Sequence, residues 1–223
     1  MSLPYRDRMG QVKAREGAME ADTEPTTRQG RGQARRQTLL KTARALFVAQ
    51  GLHDTGMAQI ATVSGIRTQQ IYRDFQNKAE IIACVFERES DIWLDEPTLQ
   101  AALDAGDADG ARRWIFQIMR IGTDVDQPRL LAEIIFEGAR NPLVSAVNRR
   151  LERNILARLE AAIALIAPGE DRSERRAVAA STLLTLSFGA TLRCALNSAV
   201  APEEMTRQVH ALVERELEQI ARD

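Results

Sequence analysis

The chain has 223 residues, enough for one long domain or two small ones, and 44% are hydrophobic, normal for a protein that buries a core. A net charge of −1 argues against a protein that is basic throughout, and two cysteines and two histidines, widely spaced, argue against a zinc or redox site. No run of about 18 apolar residues and no apolar leader is visible, so no membrane partner is expected and a cytoplasmic location is the simplest inference.

Residues 1 to about 30 are polar and aperiodic and read as a disordered tail. Beyond them the chain reads as all-α, with no period-two alternation. A first helix is expected over about Gln33–Gln50, with Leu39, Ala43, Leu46 and Phe47 as its buried stripe and Gly51 as its stop. Two short helices follow. One covers about Met57–Ser64 and buries Ile60 and Val63; after Gly65, the other covers about Thr68–Phe75, with Ile71 and Phe75 inward. Asn77 to Glu80 reads as a capping box opening a helix to about Trp93. Acidic stretches around Asp104–Gly110 and Asp124–Pro128 read as loops. Longer helices are expected at about 110–122, 128–140, 142–166, 173–199 and 202–221. Both thiols, Cys84 and Cys194, lie in apolar helical surroundings and read as buried.

Charge is segregated along this chain. Residues 28–82 hold nine Lys or Arg against three Asp or Glu, a net +6, while residues 83–223 carry −6. No acid stands between Glu24 and Asp54, where Arg28, Arg31, Arg35, Arg36, Lys41 and Arg44 do. That is the footprint of phosphate contacts. A short helix, a glycine turn and a second short helix form a helix-turn-helix, whose second helix enters the major groove. On the wheel Gln69, Gln70 and Arg73 point away from Ile71 and Phe75. Glutamine can bridge adenine and arginine guanine. Thr68 stands at the exposed helix start, and the Tyr72 hydroxyl can reach a phosphate. Thr55, ahead of the first short helix, is counted with the DNA-facing residues.

The set Arg35-Arg36-Gln37-Thr38-Leu39-Leu40, Ala45-Leu46-Phe47, Gly51-Leu52, Thr55, Met57 and Ile60-Ala61 resembles the start of a TetR-family DNA-binding domain. Ser64-Gly65-Ile66 and Ile71 through Lys78 match its turn, recognition helix and following helix start. Arg67 stands where a serine cap is usual, Gly56 where a Ser or Thr is frequent, and Gln69 where glycine is frequent. The resemblance implies backbone contacts from Tyr72 and Lys78. It also implies a variable helical domain that binds a small molecule and forms a homodimer. The expected organisation is a tail at 1–30, a DNA-binding domain at 31–80 and a ligand-binding and dimerisation domain at 81–223.

The segment Arg175–Ala199 is apolar nearly all round and must be covered on both faces, and a partner subunit is expected on one of them. The last helix carries a stripe at Met205, Val209, Leu212, Val213, Leu217 and Ile220. Trp93, Trp114, Met119, Phe136 and Phe188 are candidate pocket residues, with Glu133 and Arg193 as charged groups interrupting apolar runs. No Gly-rich phosphate loop, metal-ligand cluster or nucleophile motif is present, so no enzyme and no cofactor are expected. The expectation is a regulator that binds an operator in double-stranded DNA and is released by a small molecule. A helical DNA-binding protein without an effector is the alternative.

Overall fold

The computed structural model describes residues 28–122, 126–197 and 199–222. Among them there are ten α-helices and no strand. The expected tail lies almost wholly outside the described residues. The chain divides into two compact units that meet at residues 85 and 86.

The first unit starts with α1, Arg28–Asp54, which begins five residues earlier than the periodicity indicates. Gly51 interrupts it at φ 87°, ψ 164°, a conformation open in practice to glycine, so the regular helix does stop there. α2 spans Met57–Ser64 and α3 Thr68–Asp74. Between them Gly65, at φ 69°, takes the left-handed position that ends α2, and its N–H donates to the Thr62 carbonyl. Leu39, Ala43, Phe47, Ile60, Ile71, Phe75, Ile81 and Ile82 are all essentially inaccessible. Val63 is 59% exposed, against expectation, because the eight-residue α2 buries only Ile60 and Ala61.

α4 runs Lys78–Leu94, within a residue of the expected end. Its start is a capping box displaced by one residue. Asn77 Oδ1 accepts from the Glu80 N–H at 3.1 Å, while the Glu80 carboxylate accepts from the Gln76 N–H at 2.8 Å.

In the second unit the stretch expected as a loop around Asp104–Gly110 narrows to Gly106 and Asp107, between α5, Glu96–Ala105, to which the sequence reading gave no element, and α6, Ala108–Ile118. The acidic residues act as helix ends: Asp107 caps α6 by accepting from the Gly110 N–H at 2.9 Å. α7, Asp126–Gly138, α8, Pro142–Ile166, α9, Ser173–Leu196, and α10, Pro202–Arg222, lie close to the expected ranges. Pro142 occupies the first turn of α8, and Asn141 Oδ1 accepts from the Leu143 N–H at 3.1 Å.

α8 is the axis of this unit, with α6, α7 and α9 packed on it and α10 against α9. Trp114, Ile115, Met119, Leu159, Ala162, Ile163, Ala179, Ala180, Val213 and Leu217 form its core. By length and composition the segment Glu170–Leu196 is apolar enough to cross a bilayer, contrary to the sequence reading; here its Ala179, Ala180, Leu183, Leu184 and Cys194 side is core. The opposite side leaves Val178 and Leu196 exposed. On α10, the expected stripe is buried within the unit except for Leu212, which is 40% exposed.

Candidate nucleic-acid interface

α3 has seven residues and would not hold helical form by itself. Ile71 and Phe75 anchor it, both within 1% of complete burial. With that face fixed, the helical period turns Thr68, Gln69, Tyr72 and Arg73 outward, and all four are exposed; Gln70 is half-buried. Arg67 takes the N-cap position without a side-chain cap, and Thr68 makes no capping bond in its place. α3 therefore starts without a side-chain cap at its N-cap position.

Three of the expected contact residues turn out to be occupied. Arg35 forks onto Asp74, the last residue of α3, through Nε to Oδ2 at 2.9 Å and Nη2 to Oδ1 at 3.0 Å. This hydrogen bonding raises the guanidinium above its ordinary value. Arg36 donates Nη1 to the Asp74 carbonyl at 3.2 Å and Nη2 to Cys84 Sγ at 3.1 Å, and its guanidinium lies 4.2 Å over the Phe75 ring. Cys84 is half-buried, against the expectation of a buried thiol. Lys78 donates its ammonium to the Leu52 carbonyl at 2.7 Å and also reaches the His53 carbonyl at 3.4 Å, closing the chain end beyond Gly51.

Thr55 has to be withdrawn as a DNA-facing residue. Its side chain is completely buried, and Oγ1 donates to the Gly51 carbonyl at 2.9 Å while accepting from Gln50 Nε2 at 3.1 Å. It does not cap α2 either, where Gly56 holds the position. Thr55 reconnects the chain after the Gly51 break, a role set by that glycine's geometry. Asp74 lies inside the matched stretch Ile71 through Lys78, but the sequence assigns it no role. It lies 39 residues from Arg35, beyond the range of any helical periodicity.

The candidate pocket residues fall in different settings. Trp114 and Met119 are wholly inside the core, and Trp93 and Phe188 are packed against it. Both indoles are satisfied by backbone: Trp114 Nε1 donates to the Leu94 carbonyl at 2.6 Å and Trp93 Nε1 to the Ile118 carbonyl at 3.1 Å. Phe136 is 64% exposed, and Glu133 and Arg193 are on the surface. An open groove of about 370 Å³ lies elsewhere, lined by Glu174, Arg175, Val178, Glu216, Gln219 and Ile220. None of the seven expected residues borders it. Among the described residues no three acids, histidines or cysteines are grouped as metal ligands.

A three-helix unit presenting a short exposed helix after a glycine turn, followed by a separate all-helical unit, defines a helix-turn-helix protein of two-unit helical build. Residues 39–85 match the model of the bacterial regulatory proteins of the tetR family. The HTH-type transcriptional regulator AcrR of Shigella flexneri is 29% identical over 124 residues, which span 55% of this chain and 58% of that protein. A TetR transcription regulator of Haloarcula marismortui superposes with a TM-score of 0.69 at 14% identity, covering 84% of this chain and 98% of that one. A transcriptional regulator of Saccharomonospora viridis in complex with choline does so with 0.62 at 16% identity, covering 80% and 95%. In sequence the chain is thus similar to the tetR family over residues 39–85, and in fold it is similar to TetR-type regulators over most of its length.

Proposed function

We propose that the protein is a sequence-specific DNA-binding transcriptional regulator whose operator affinity is lowered by a small molecule. The observation that carries the reading is α3: a short helix anchored by Ile71 and Phe75 that turns Thr68, Gln69, Tyr72 and Arg73 to solvent, inside a segment of net charge +6. Gln69 and Arg73 are the base readers, Gln70 reads less because it is half-buried, and Tyr72 reaches a phosphate. Arg31 and Lys41, both exposed, are the further phosphate ligands. DNA binding is assigned to the unit ending at residue 85, and dimerisation and effector binding to the unit beginning at residue 86. The second copy covers the exposed side of α9 at Val178 and Leu196 together with Leu212 of α10. A two-fold dimer then reads half-sites about 34–36 Å apart.

Release follows from linkage: an effector that binds better to an arrangement mis-spaced for the operator weakens the operator, and the operator weakens the effector by the same factor. The fold neighbour in complex with choline supports a small-molecule effector for this architecture. The protein acts in the cytoplasm, where its DNA target is.

The test is selection from a randomised duplex pool, followed by titration against the selected and a scrambled duplex at fixed salt. The expected result is a roughly palindromic site, with Gln69→Ala losing up to about a hundredfold on the selected duplex and little on the scrambled one. Equal losses on both would remove Gln69 from base reading.

A further inference from the structure

We propose that Asp74 withholds Arg35 from the DNA backbone, so that the pair positions the end of the recognition helix instead of supplying a phosphate contact. The inference rests on the DNA-binding reading above and departs from the simplest use of the basic segment, in which every arginine ahead of Leu39 meets a phosphate.

The geometry is a fork. Two parallel N–H···O bonds of 2.9 and 3.0 Å are the same arrangement that a guanidinium offers to a phosphate, so the carboxylate competes for the donors DNA would use. The position of the acid is otherwise adverse. A carboxylate in the last turn of a helix opposes the helix dipole, and this one stands beside Arg73 and Tyr72, where a polyanion is to approach. Pairing with Arg35 removes both objections.

Nor is the bridge sealed away. The Arg35 and Asp74 side chains keep 31% and 18% of their accessible surface, so a phosphate can reach Arg35 once the carboxylate no longer holds it. Arg36 grips the same residue by its main-chain carbonyl while stacked on Phe75. Two consecutive residues of α1 therefore hold the C-terminal end of α3, one by its carboxylate and one by its backbone. In a helix of seven residues anchored at Ile71 and Phe75, these bonds add a hold on its C-terminal end. One positive charge is diverted from general affinity into the orientation on which base reading depends.

The experiment uses full-length wild-type protein, Asp74→Asn, Arg35→Ala and the charge-exchanged double variant Arg35→Asp with Asp74→Arg. Each is titrated over a series of salt concentrations against a scrambled duplex and against the duplex selected by the wild-type protein, with thermal melting as the check on folding. Asp74→Asn is expected to bind the scrambled duplex more tightly, with a salt slope steeper by about 0.9, the increment for one added phosphate contact. Its preference for the selected duplex falls about tenfold. Arg35→Ala loses preference with no steepening, and the exchanged pair regains much of it. A wild-type slope for Asp74→Asn on the scrambled duplex overturns the proposal, as does lost preference without steepening, which would mark the pair as merely structural. Failure of the wild-type protein to enrich any sequence would instead overturn the operator reading; the scrambled-duplex slopes would still decide about Arg35.

Discussion

Trp114 donates its indole N–H to the main-chain carbonyl of Leu94 at 2.6 Å, with the tryptophan completely buried. Leu94 is the last residue of α4, so its carbonyl has no partner further along that helix. The bond satisfies a buried donor and a helix-end acceptor at once. Asp95 follows in the left-handed conformation at φ 47°, costly for a residue other than glycine, and its carboxylate accepts from Gln117 Nε2 at 3.0 Å. Trp114→Phe should therefore cost about 1–3 kcal/mol for the orphaned carbonyl alone. Urea unfolding would measure it. Trp93→Phe should cost less, because that indole is half-buried and water can replace it.

Thr55→Val keeps the shape of a wholly buried side chain and removes the hydroxyl that joins it to the Gly51 carbonyl. A stability loss of about 1 kcal/mol is expected. The salt slope of DNA binding should stay at its wild-type value, since Thr55 has no exposed atom to offer a phosphate. A flatter slope would return Thr55 to the interface.

Lys78→Met keeps the side-chain stem and removes the ammonium from the Leu52 and His53 carbonyls. Those carbonyls follow the Gly51 break and have no regular helix to complete them. The melting temperature should fall by a few degrees, on the order of 1 kcal/mol. If stability is unchanged and affinity falls equally on all duplexes, Lys78 is a phosphate contact in spite of its carbonyl partners.

His210 Nε2 lies 2.8 Å from the Phe116 carbonyl, and the imidazole meets the Phe116 ring edge-on at 4.9 Å. Burial pushes its pKa below the ordinary value; the Phe116 carbonyl opposes this and the charge of Arg120 adds to it. At pH well above 6.5 the ring is neutral in both folded and unfolded chains, and its titration adds no pH dependence to stability. As the pH falls below that value the unfolded chain takes up the proton first, so stability is lost until the folded imidazole also titrates. Between about pH 7.5 and 5, His210→Gln should lose less stability than the wild-type protein. Parallel curves would show that His210 titrates alike in both states.

Val178 and Val63 are each 59% exposed, one on α9 and the other on α2. Val178→Glu should shift sedimentation toward monomer at micromolar concentration, because a carboxylate would be buried unpaired in the proposed contact between copies. Val63→Glu should leave the assembly state unchanged. Equal behaviour of the two would remove the α9 face from dimerisation.

Much was legible because it is local. The spacing of Leu39, Ala43 and Phe47, the break at Gly51, the turn at Gly65 and the inward pair Ile71 and Phe75 depend on periods of three or four residues and on glycine's access to positive φ. Those signals determined by themselves the all-helical class, the helix-turn-helix and the outward direction of Gln69 and Arg73. The loop expected around Asp104–Gly110 is shorter because Asp104, Gly106 and Asp107 carry the composition of a loop, while the structure uses them as helix ends. Only the tertiary structure decided which cations are spare. Arg35 meets Asp74 across 39 residues and Lys78 meets Leu52 across 26. Charge counted along a chain cannot show such pairings, because which acid or carbonyl neutralises an arginine or lysine is set by how the helices pack. The same holds for Trp114 and Met119: an aromatic or sulfur side chain suits a core and a cavity equally, and only the position of its neighbours separates the two.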